Sequence, residues 1–182
     1  MYFEARRHED LYLWLSKTPN GPSAKLQVQN IHTMDELKMT GNCLKGSRHI
    51  LSFDEGFNAE PHWRVLREML KQMFAVPRTA RRTKPFVDHV LSFSILDNKI
   101  WFRNYQIIEK DPGALAASEA AGDDNAKVRK NTSSEPTLVE IGPRFVMTPI
   151  RIFEGSFGGP AVFENPDYRS PNAFRHAMRR GQ

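Results

Sequence analysis

Cysteine is almost absent from this sequence. Cys43 is the single cysteine among 182 residues, so no disulfide can form within the chain and no zinc site can contain several cysteines. A thiol acts as a nucleophile only with a base beside it, whereas a lone cysteine is more often a buried structural residue. We therefore expect Cys43 to have a structural role.

Long apolar runs are absent as well. No stretch approaches the roughly 18 consecutive apolar residues of a membrane-spanning helix. The first residues also lack the apolar core of a signal peptide. We therefore expect an intracellular protein with no membrane partner.

Motifs for catalysis and cofactor binding are missing. The six histidines include no His-x-x-x-His pair, and neither a G-x-S-x-G elbow nor a dinucleotide fingerprint occurs. The glycine-rich stretches GSFGGP and GNCLKGS lack the Lys-Ser/Thr pair of a phosphate loop. Asp88 and His89 are adjacent in a β-prone stretch, so we expect their side chains to point to opposite faces and not to act together. The sequence predicts no catalytic residue, metal, cofactor or small-molecule substrate.

Positive charge is what the sequence does contain. The formal net charge is +5 and the pI is near 9.5, which favours encounter with a polyanion without identifying a site. With 182 residues and 40% hydrophobic content, the chain is long enough for one domain or two small lobes with a buried core.

Strand patterns dominate the first 53 residues. We predict strands at 2–6, 11–15, 25–29 and 50–53, with a wide hairpin loop at TPNGPS between the second and third. Thr33 and Glu36 form a capping-box pattern, which predicts a short helix over 33–37. One apolar face of the second and third strands comprises Leu11, Leu13, Leu15, Leu26 and Val28.

The clearest helix pattern runs from Pro61 to about Phe74, where apolar residues recur at helical spacing. A row of basic side chains follows another face of this helix and continues beyond it, giving residues 64–84 seven basic residues against one acidic residue, or 7 − 1 = +6. The row comprises Arg64, Arg67, Lys71, Arg78, Arg81, Arg82 and Lys84. Such a row serves phosphate binding or nuclear import, or is a solvated surface.

A β-hairpin is predicted over 87–108, with Asp97-Asn98 as its two-residue turn. This turn pairs Phe93 with Phe102 on a core face and Ser94 with Trp101 on the other. Trp101 and Arg103 then share a face, as in proteins that stack single-stranded RNA bases on aromatic rings and guanidinium planes. The alternative is that Trp101 packs beneath a neighbouring element and Arg103 lies at its rim.

The segment 138–171 concentrates β-branched, glycine and proline residues. We predict two collinear strands, 139–141 and 145–153, with a bend at Gly142-Pro143. Pro149 cannot donate to a sheet, so its strand lies at an edge or carries a break there. Gly155 to Pro160 is predicted to leave the sheet and wrap over the body, and 111–136 is predicted to be a mobile insertion.

Several of these stretches resemble the Brix domain family. The segment GPRFVMTPIRIFEGSFGGP looks like the signature segment of the Brix domain. Three other stretches of this chain are also similar to the family: LYLWLSKTPNGPSAKLQVQNIHTMDELKMTGNCLKGSR, KPFVDHV and IWFRNYQI. The resemblance implies an α+β fold of two similar lobes of mainly antiparallel sheet with packed helices, related to the anticodon-binding domains of class II aminoacyl-tRNA synthetases.

The resemblance also implies a function. It implies a non-enzymatic nucleolar factor that binds ribosomal RNA, contacts other assembly factors of the large (60S) subunit and takes part in rRNA processing. The alternative is a protein-interaction scaffold without direct RNA readout. The RNA-binding set that we predict comprises the basic row of residues 64–84 together with Trp101, Arg103, Arg144 and Arg151.

The sequence departs from the family pattern in several places. The opening strand and helix of the family are absent, the basic tail stops at Gln182, and Arg48-His49 stands where a proline is expected. We therefore expect a truncated Brix domain at 1–172, with an incomplete first lobe at 1–47, a second lobe at 48–172 and the start of a basic tail at 173–182. Because the absent helix would cover the apolar face of the first lobe, we expect that lobe to be the less stable one.

Overall fold

One mixed sheet organises the protein. The structure, a computed structural model, describes residues 1–7, 9–36, 47–77, 87–108 and 136–180. The strands in these ranges are β1 Tyr2–Arg6, β2 Asp10–Ser16, β3 Ser23–His32, β4 Arg48–Phe53, β5 Val87–Leu96, β6 Lys99–Ile108, β7 Thr137–Glu140, β8 Arg144–Phe153 and β9 Ala161–Glu164. The helices are α1 Pro61–Phe74, α2 Pro171–Arg180 and a short 3-10 helix, Glu55–Asn58.

The strand order is β1-β2-β3-β8-β6-β5-β4, with β7 paired to β6 and β9 paired to β8. Every pair is antiparallel except β4 and β5, which are parallel. This is the predicted α+β class with a mainly antiparallel sheet. The pairing of β3 with β8 joins strands from the two predicted lobes into one sheet, and the division of the chain into those lobes stays a prediction.

The hairpin of β5 and β6 has the predicted register. Leu96 pairs with Lys99, Phe93 with Phe102 and Ser94 with Trp101. Asp97 and Asn98 have φ of 52° and 56°, which is the mirror-image turn that matches the twist of the strands. The register follows from the turn because a two-residue loop leaves only one pairing.

β7 and β8 are collinear, as predicted. Both pair with β6, β7 at Tyr105–Ile108 and β8 at Ile100–Phe102, and Gly142 lies between them with φ of 68°. Pro149 lies at a register shift in the pairing with β3, which confirms the predicted break. β8 is nevertheless an interior strand, because β3 lies on one side of it and β6 and β9 lie on the other.

Two local predictions were wrong. Residues 34–36 form a turn and not the start of a helix, and Glu36 pairs with His32 at 3.0 Å instead of capping. The glycine-rich segment does not wrap over the body, because β9 turns back to pair with β8, closed by a hydrogen bond from the amide of Glu154 to the carbonyl of Pro160 at 3.1 Å. The short strand predicted at 50–53 is present as part of β4 but is only partly buried, with Ile50 50% exposed.

The core lies between α1 and one face of the sheet. Leu66 and Leu70 of α1 share one cluster of buried side chains with Leu13, Leu15 and other residues of β2 and β3. The expectation that the apolar face of the first lobe lacks cover was therefore wrong. It failed because the pairing of β3 with β8 places that face in the same buried cluster as the core residues of β5, β6 and α1.

Candidate nucleic-acid interface

Those predicted site residues that the structure describes fall on opposite sides of the sheet. Side chains alternate along a strand, so the neighbours of core residues point away from α1. Trp101 and Arg103 flank the buried Phe102, and Arg144 precedes the core-packed Phe145. We call the sheet surface opposite α1 the outer face. Trp101, Arg103 and Arg144 lie together on it.

These three side chains line a concave site on the outer face. We call it the tryptophan pocket, a cavity of about 270 Å³. Asn30 and His32 of β3 complete it. The guanidinium carbon of Arg103 lies 5.9 Å from the centre of the Trp101 ring, within the range of a cation–π contact. Pairing of β6 with β8 places Trp101 opposite Val146, which brings Arg144 beside Arg103.

The charges in the pocket are only loosely compensated. Glu140 lies 3.5 Å from Arg103 and 3.8 Å from Arg144, long distances for ion pairs. The side chains of both arginines keep more than a third of their surface exposed, at 39% and 36%. Two guanidinium groups therefore share one carboxylate and retain free donors toward solvent.

The indole of Trp101 has an unused donor. Its Nε1 is buried and has no hydrogen-bond partner in the described ranges. The indole of Trp14, also on the outer face, donates to Glu4 Oε2 at 3.0 Å. Buried indole N–H groups are normally paired, so the Trp101 donor is an exception within the described ranges. Of the two interpretations of Trp101 from sequence, the structure supports parts of both, since the ring is half-buried and also lines a pocket.

Arg151 belongs to a second concave site on the outer face. We call it the lysine pocket, a cavity of about 430 Å³ lined by Tyr12, Trp14 and Lys25 among others. Lys25 Nζ lies 4.8 Å from the centre of each of those two rings. Arg151 pairs with Glu164 at 2.5 Å. The structure therefore separates Arg151 from Arg103 and Arg144.

Sequence reasoning missed the residues that complete both pockets. The alternation in β2 placed Tyr12 and Trp14 on one face, but their contact with Lys25 depends on the register with β3, which pairs Trp14 with Lys25. Asn30 lies in an irregularity of β3 between Gln29 and His32, and both Asn30 and His32 line the tryptophan pocket. The one residue that could have indicated this irregularity from sequence is Asn30. Its φ is 50°, a conformation that asparagine tolerates better than most residues.

The lysine pocket makes folding sensitive to acid. The hydrogen bond from Trp14, followed by the hydrogen bonds from Arg6 and Lys25, lowers the pKa of Glu4 from 4.5 to about 2. A carboxylate with a depressed pKa stabilises the fold above its unfolded pKa, and this contribution is lost as the pH falls toward the folded value. We therefore expect Glu4→Gln to be less stable than wild type near neutral pH, with the difference shrinking between about pH 4.5 and 2. Urea midpoints measured across that range test this, and a difference independent of pH would contradict it.

The basic row on α1 lies on the other side of the molecule. Arg64 and Arg67 both bind Asn58, through its carbonyl at 3.2 Å and its side-chain oxygen at 2.5 Å. Lys71 lies 3.7 Å from Glu68. This part of the row has partners within the protein and faces away from the core. Arg78, Arg81, Arg82 and Lys84 lie outside the described residues, as does Cys43 and nearly all of the predicted insertion 111–136.

Asp88 and His89 touch, contrary to the expectation from their adjacent positions. His89 Nδ1 lies 2.6 Å from Asp88 Oδ1 and 3.4 Å from Ser47 Oγ. Both contacts use the same ring nitrogen, whereas a Ser-His-Asp relay needs the serine and the carboxylate on different nitrogens. This arrangement is therefore not a catalytic triad.

The described ranges contain no cluster of three or more His, Cys, Asp or Glu side chains that would hold a metal ion. Nor is any helix within them long and apolar enough to cross a membrane.

Comparison with known proteins identifies the family. The family model described as the Brix domain matches residues 1–151. The chain is 55% identical over 179 residues to "Ribosome biogenesis protein BRX1 homolog" of Xenopus laevis, covering 98% of this chain and 46% of that protein. It is 54% identical over 175 residues to "Ribosome biogenesis protein BRX1" of Saccharomyces cerevisiae, covering 96% and 56%.

A plant relative shows the same pattern. "Ribosome biogenesis protein BRX1 homolog 2" of Arabidopsis thaliana is 47% identical over 182 residues, covering 100% of this chain and 53% of that protein. The chain thus spans about half the length of the curated relatives it matches. Because the domain model covers most of the chain and the similarity extends over nearly all of it, the chain belongs to the Brix domain family.

Proposed function

We propose that this chain acts in ribosome biogenesis as a non-enzymatic factor that binds ribosomal RNA through the outer face of its sheet. The names of its relatives support the first part, because each is called a ribosome biogenesis protein. The tryptophan pocket is the observation that supports RNA binding through the outer face. The cellular setting that we propose is the nucleolus, during rRNA processing and assembly of the large (60S) subunit beside other assembly factors.

The chemistry of the tryptophan pocket suits a nucleotide. A base stacks on an aromatic ring or a guanidinium plane, and Trp101 and Arg103 offer both at one place. Drug-sized ligands need cavities of roughly 300–1,000 Å³, so a cavity of about 270 Å³ fits a smaller group such as a single base. The exposed guanidinium of Arg144 provides donors for phosphate oxygens or base acceptors.

The lysine pocket is a second proposed RNA contact on the outer face. The lysine pocket adds Lys25 and Arg151, together with the rings of Tyr12 and Trp14. Cationic and aromatic side chains that alternate along a groove are typical of proteins that bind single strands. The row of Arg64, Arg67 and Lys71 stays a proposed third contact, weakened by its pairing with Asn58 and Glu68.

Salt dependence tests the proposal against a scaffold that reads no RNA. The affinity for a fluorescein-labelled single-stranded RNA is measured by anisotropy between about 50 and 200 mM KCl. If Lys25, Arg103, Arg144 and Arg151 neutralise four phosphates, the slope of log K against log salt is about −3, since each phosphate contact on a single strand contributes about −0.7. Binding that is absent at low salt, or that does not respond to salt, would contradict the proposal.

A further inference from the structure

An apolar groove lies on the side of the sheet that α1 covers. It is formed by the β2–β3 turn, the start of α1 and the strands β8 and β9, and its volume is about 570 Å³. Its apolar lining comprises Pro22, Pro61, Val65, Ile152, Val162 and Phe163. Val65 and Val162 are 37% and 69% exposed, so the groove opens directly to solvent. None of these residues belongs to the tryptophan pocket or the lysine pocket.

The walls of the groove are fixed by backbone contacts. A Cβ atom added to Gly21, which has φ of +92°, would lie 2.2 Å from the carbonyl oxygen of Glu154. The β2–β3 turn therefore packs directly on the end of β8. Ser23 Oγ donates to the carbonyl of Gly155 at 2.7 Å and accepts from the amide of Phe157 at 3.1 Å. A preformed groove of this kind binds without an ordering cost in its own walls.

Rings form the floor near α1. His62 stacks on Phe163 with ring centroids 4.0 Å apart and an interplanar angle of 7°. Burial lowers the pKa of His62, so its imidazole is neutral near neutral pH. A neutral, stacked ring adds to the apolar surface and does not offset the charge at the rim.

The charge at the rim is negative. Glu60 and Glu154 line the groove, and no lysine or arginine is found among the described residues that line it. This contrasts with the net charge of +5 of the chain. Two carboxylates repel the phosphates of RNA and attract the ammonium and guanidinium groups of a protein. The groove therefore suits a basic segment of a protein, whereas the outer face suits RNA.

We propose that this groove docks a short segment of a partner protein in which an apolar side chain lies next to lysine or arginine. The apolar side chain enters between Val65, Ile152 and Phe163, where it removes apolar surface from water. The basic side chain reaches Glu60 or Glu154 at the rim. This docking is independent of RNA binding, because the two surfaces share no lining residue.

A phage-displayed library of short peptides, selected on the full chain, tests the proposal. The expected selection is of peptides that carry Lys or Arg beside a large apolar residue. Titration of a selected peptide should shift the methyl resonances of Val65, Ile152 and Val162 in NMR spectra. Val65→Asp and, separately, Val162→Asp should each weaken that peptide about tenfold or more, as loss of a central contact does. Because both valines are exposed, these variants should keep the wild-type melting temperature.

Charge reversal gives the sharper result. The double variant Glu60→Lys, Glu154→Lys should select peptides with Asp or Glu in place of the basic residue. In all of these variants Trp101→Ala should still weaken single-stranded RNA binding by the same factor as in the wild-type chain, so a failure here is distinct from a failure of RNA binding. No enrichment, an unchanged preference after charge reversal, or methyl shifts elsewhere would overturn the proposal. So would self-association of the wild-type chain in sedimentation that Val65→Asp abolishes, since the occupant would then be a second copy.

Discussion

Replacing Trp101 with alanine should weaken the binding of single-stranded RNA by about tenfold to a hundredfold. Stacking of one base on an aromatic ring is worth about 1–3 kcal/mol, and each 1.4 kcal/mol corresponds to about a factor of ten. The ring of Trp101 lines the tryptophan pocket, so alanine removes the surface on which a base would stack. Trp101→Phe should retain most of the stacking. Anisotropy with labelled RNA measures all three affinities.

A charge-matched pair of variants separates position from net charge. Arg103→Gln with Arg144→Gln removes two positive charges from the outer face, and Arg64→Gln with Arg67→Gln removes two from α1. The formal charge of the chain falls from +5 to +3 in both cases, which is 5 − 2. We expect the first pair to flatten the salt slope by about 1.4, from two contacts of about 0.7 each, and the second pair to change it less. An equal loss of salt slope in both variants would show that binding depends on net charge and not on position. A larger loss of slope in the α1 variant would place the RNA interface on the helix row.

Truncating a core leucine of β2 or of α1 should destabilise the whole protein. Leu15 of β2 and Leu66 of α1 are both 0% exposed and belong to one cluster. Leu→Ala in a core costs about 2–5 kcal/mol, which is a large part of the stability of a small domain. We expect each variant to unfold in one cooperative transition at a lower urea midpoint, with equal shifts by fluorescence and circular dichroism.

Hydrogen exchange gives the control for this prediction. Amides of β2 and β3 should be protected as strongly as those of β5 and β6, because all four strands contribute to the same core. Two transitions, or fast exchange confined to β2 and β3, would restore the view that the first lobe is the weaker part.

The elements predicted best from sequence are those that local chemistry specifies. The turn Asp97-Asn98 determined the register of β5 and β6, and Pro61 with the apolar stripe that follows located α1. The bend at Gly142 was visible because glycine adopts positive φ without strain. Each of these features depends on residues close together in the chain.

The failed prediction about the first lobe depended on distant partners, whereas the failure of the capping box was local. Pairing of β3 with β8 joins segments more than 100 residues apart, such as Leu26 with Pro149, and nothing near Leu26 specifies that partner. The same pairing decides between the two alternatives given for the strand of Pro149, because β8 is an interior strand that carries a break. The capping-box pattern at Thr33 failed because Glu36 binds His32 instead.

Sequence predicted the part of the tryptophan pocket that lies on one strand and missed how the other strands contribute to it. Trp101 and Arg103 share a strand, so alternation placed them together. Arg144, Asn30 and His32 reach the pocket only through the pairing of β6 with β8 and of β8 with β3. Arg64 and Arg67 belonged to the same predicted set, but α1 lies on the opposite side of the sheet from that pocket.

Crosslinking tests the central claim, that RNA binds the outer face, most directly. RNA that carries 4-thiouridine is irradiated in complex with the chain, and mass spectrometry locates the crosslinked residues. The proposed function predicts crosslinks on the outer face of β3, β6 and β8, at Trp101 and His32 in particular. Crosslinks confined to α1, with none on those three strands, would contradict it.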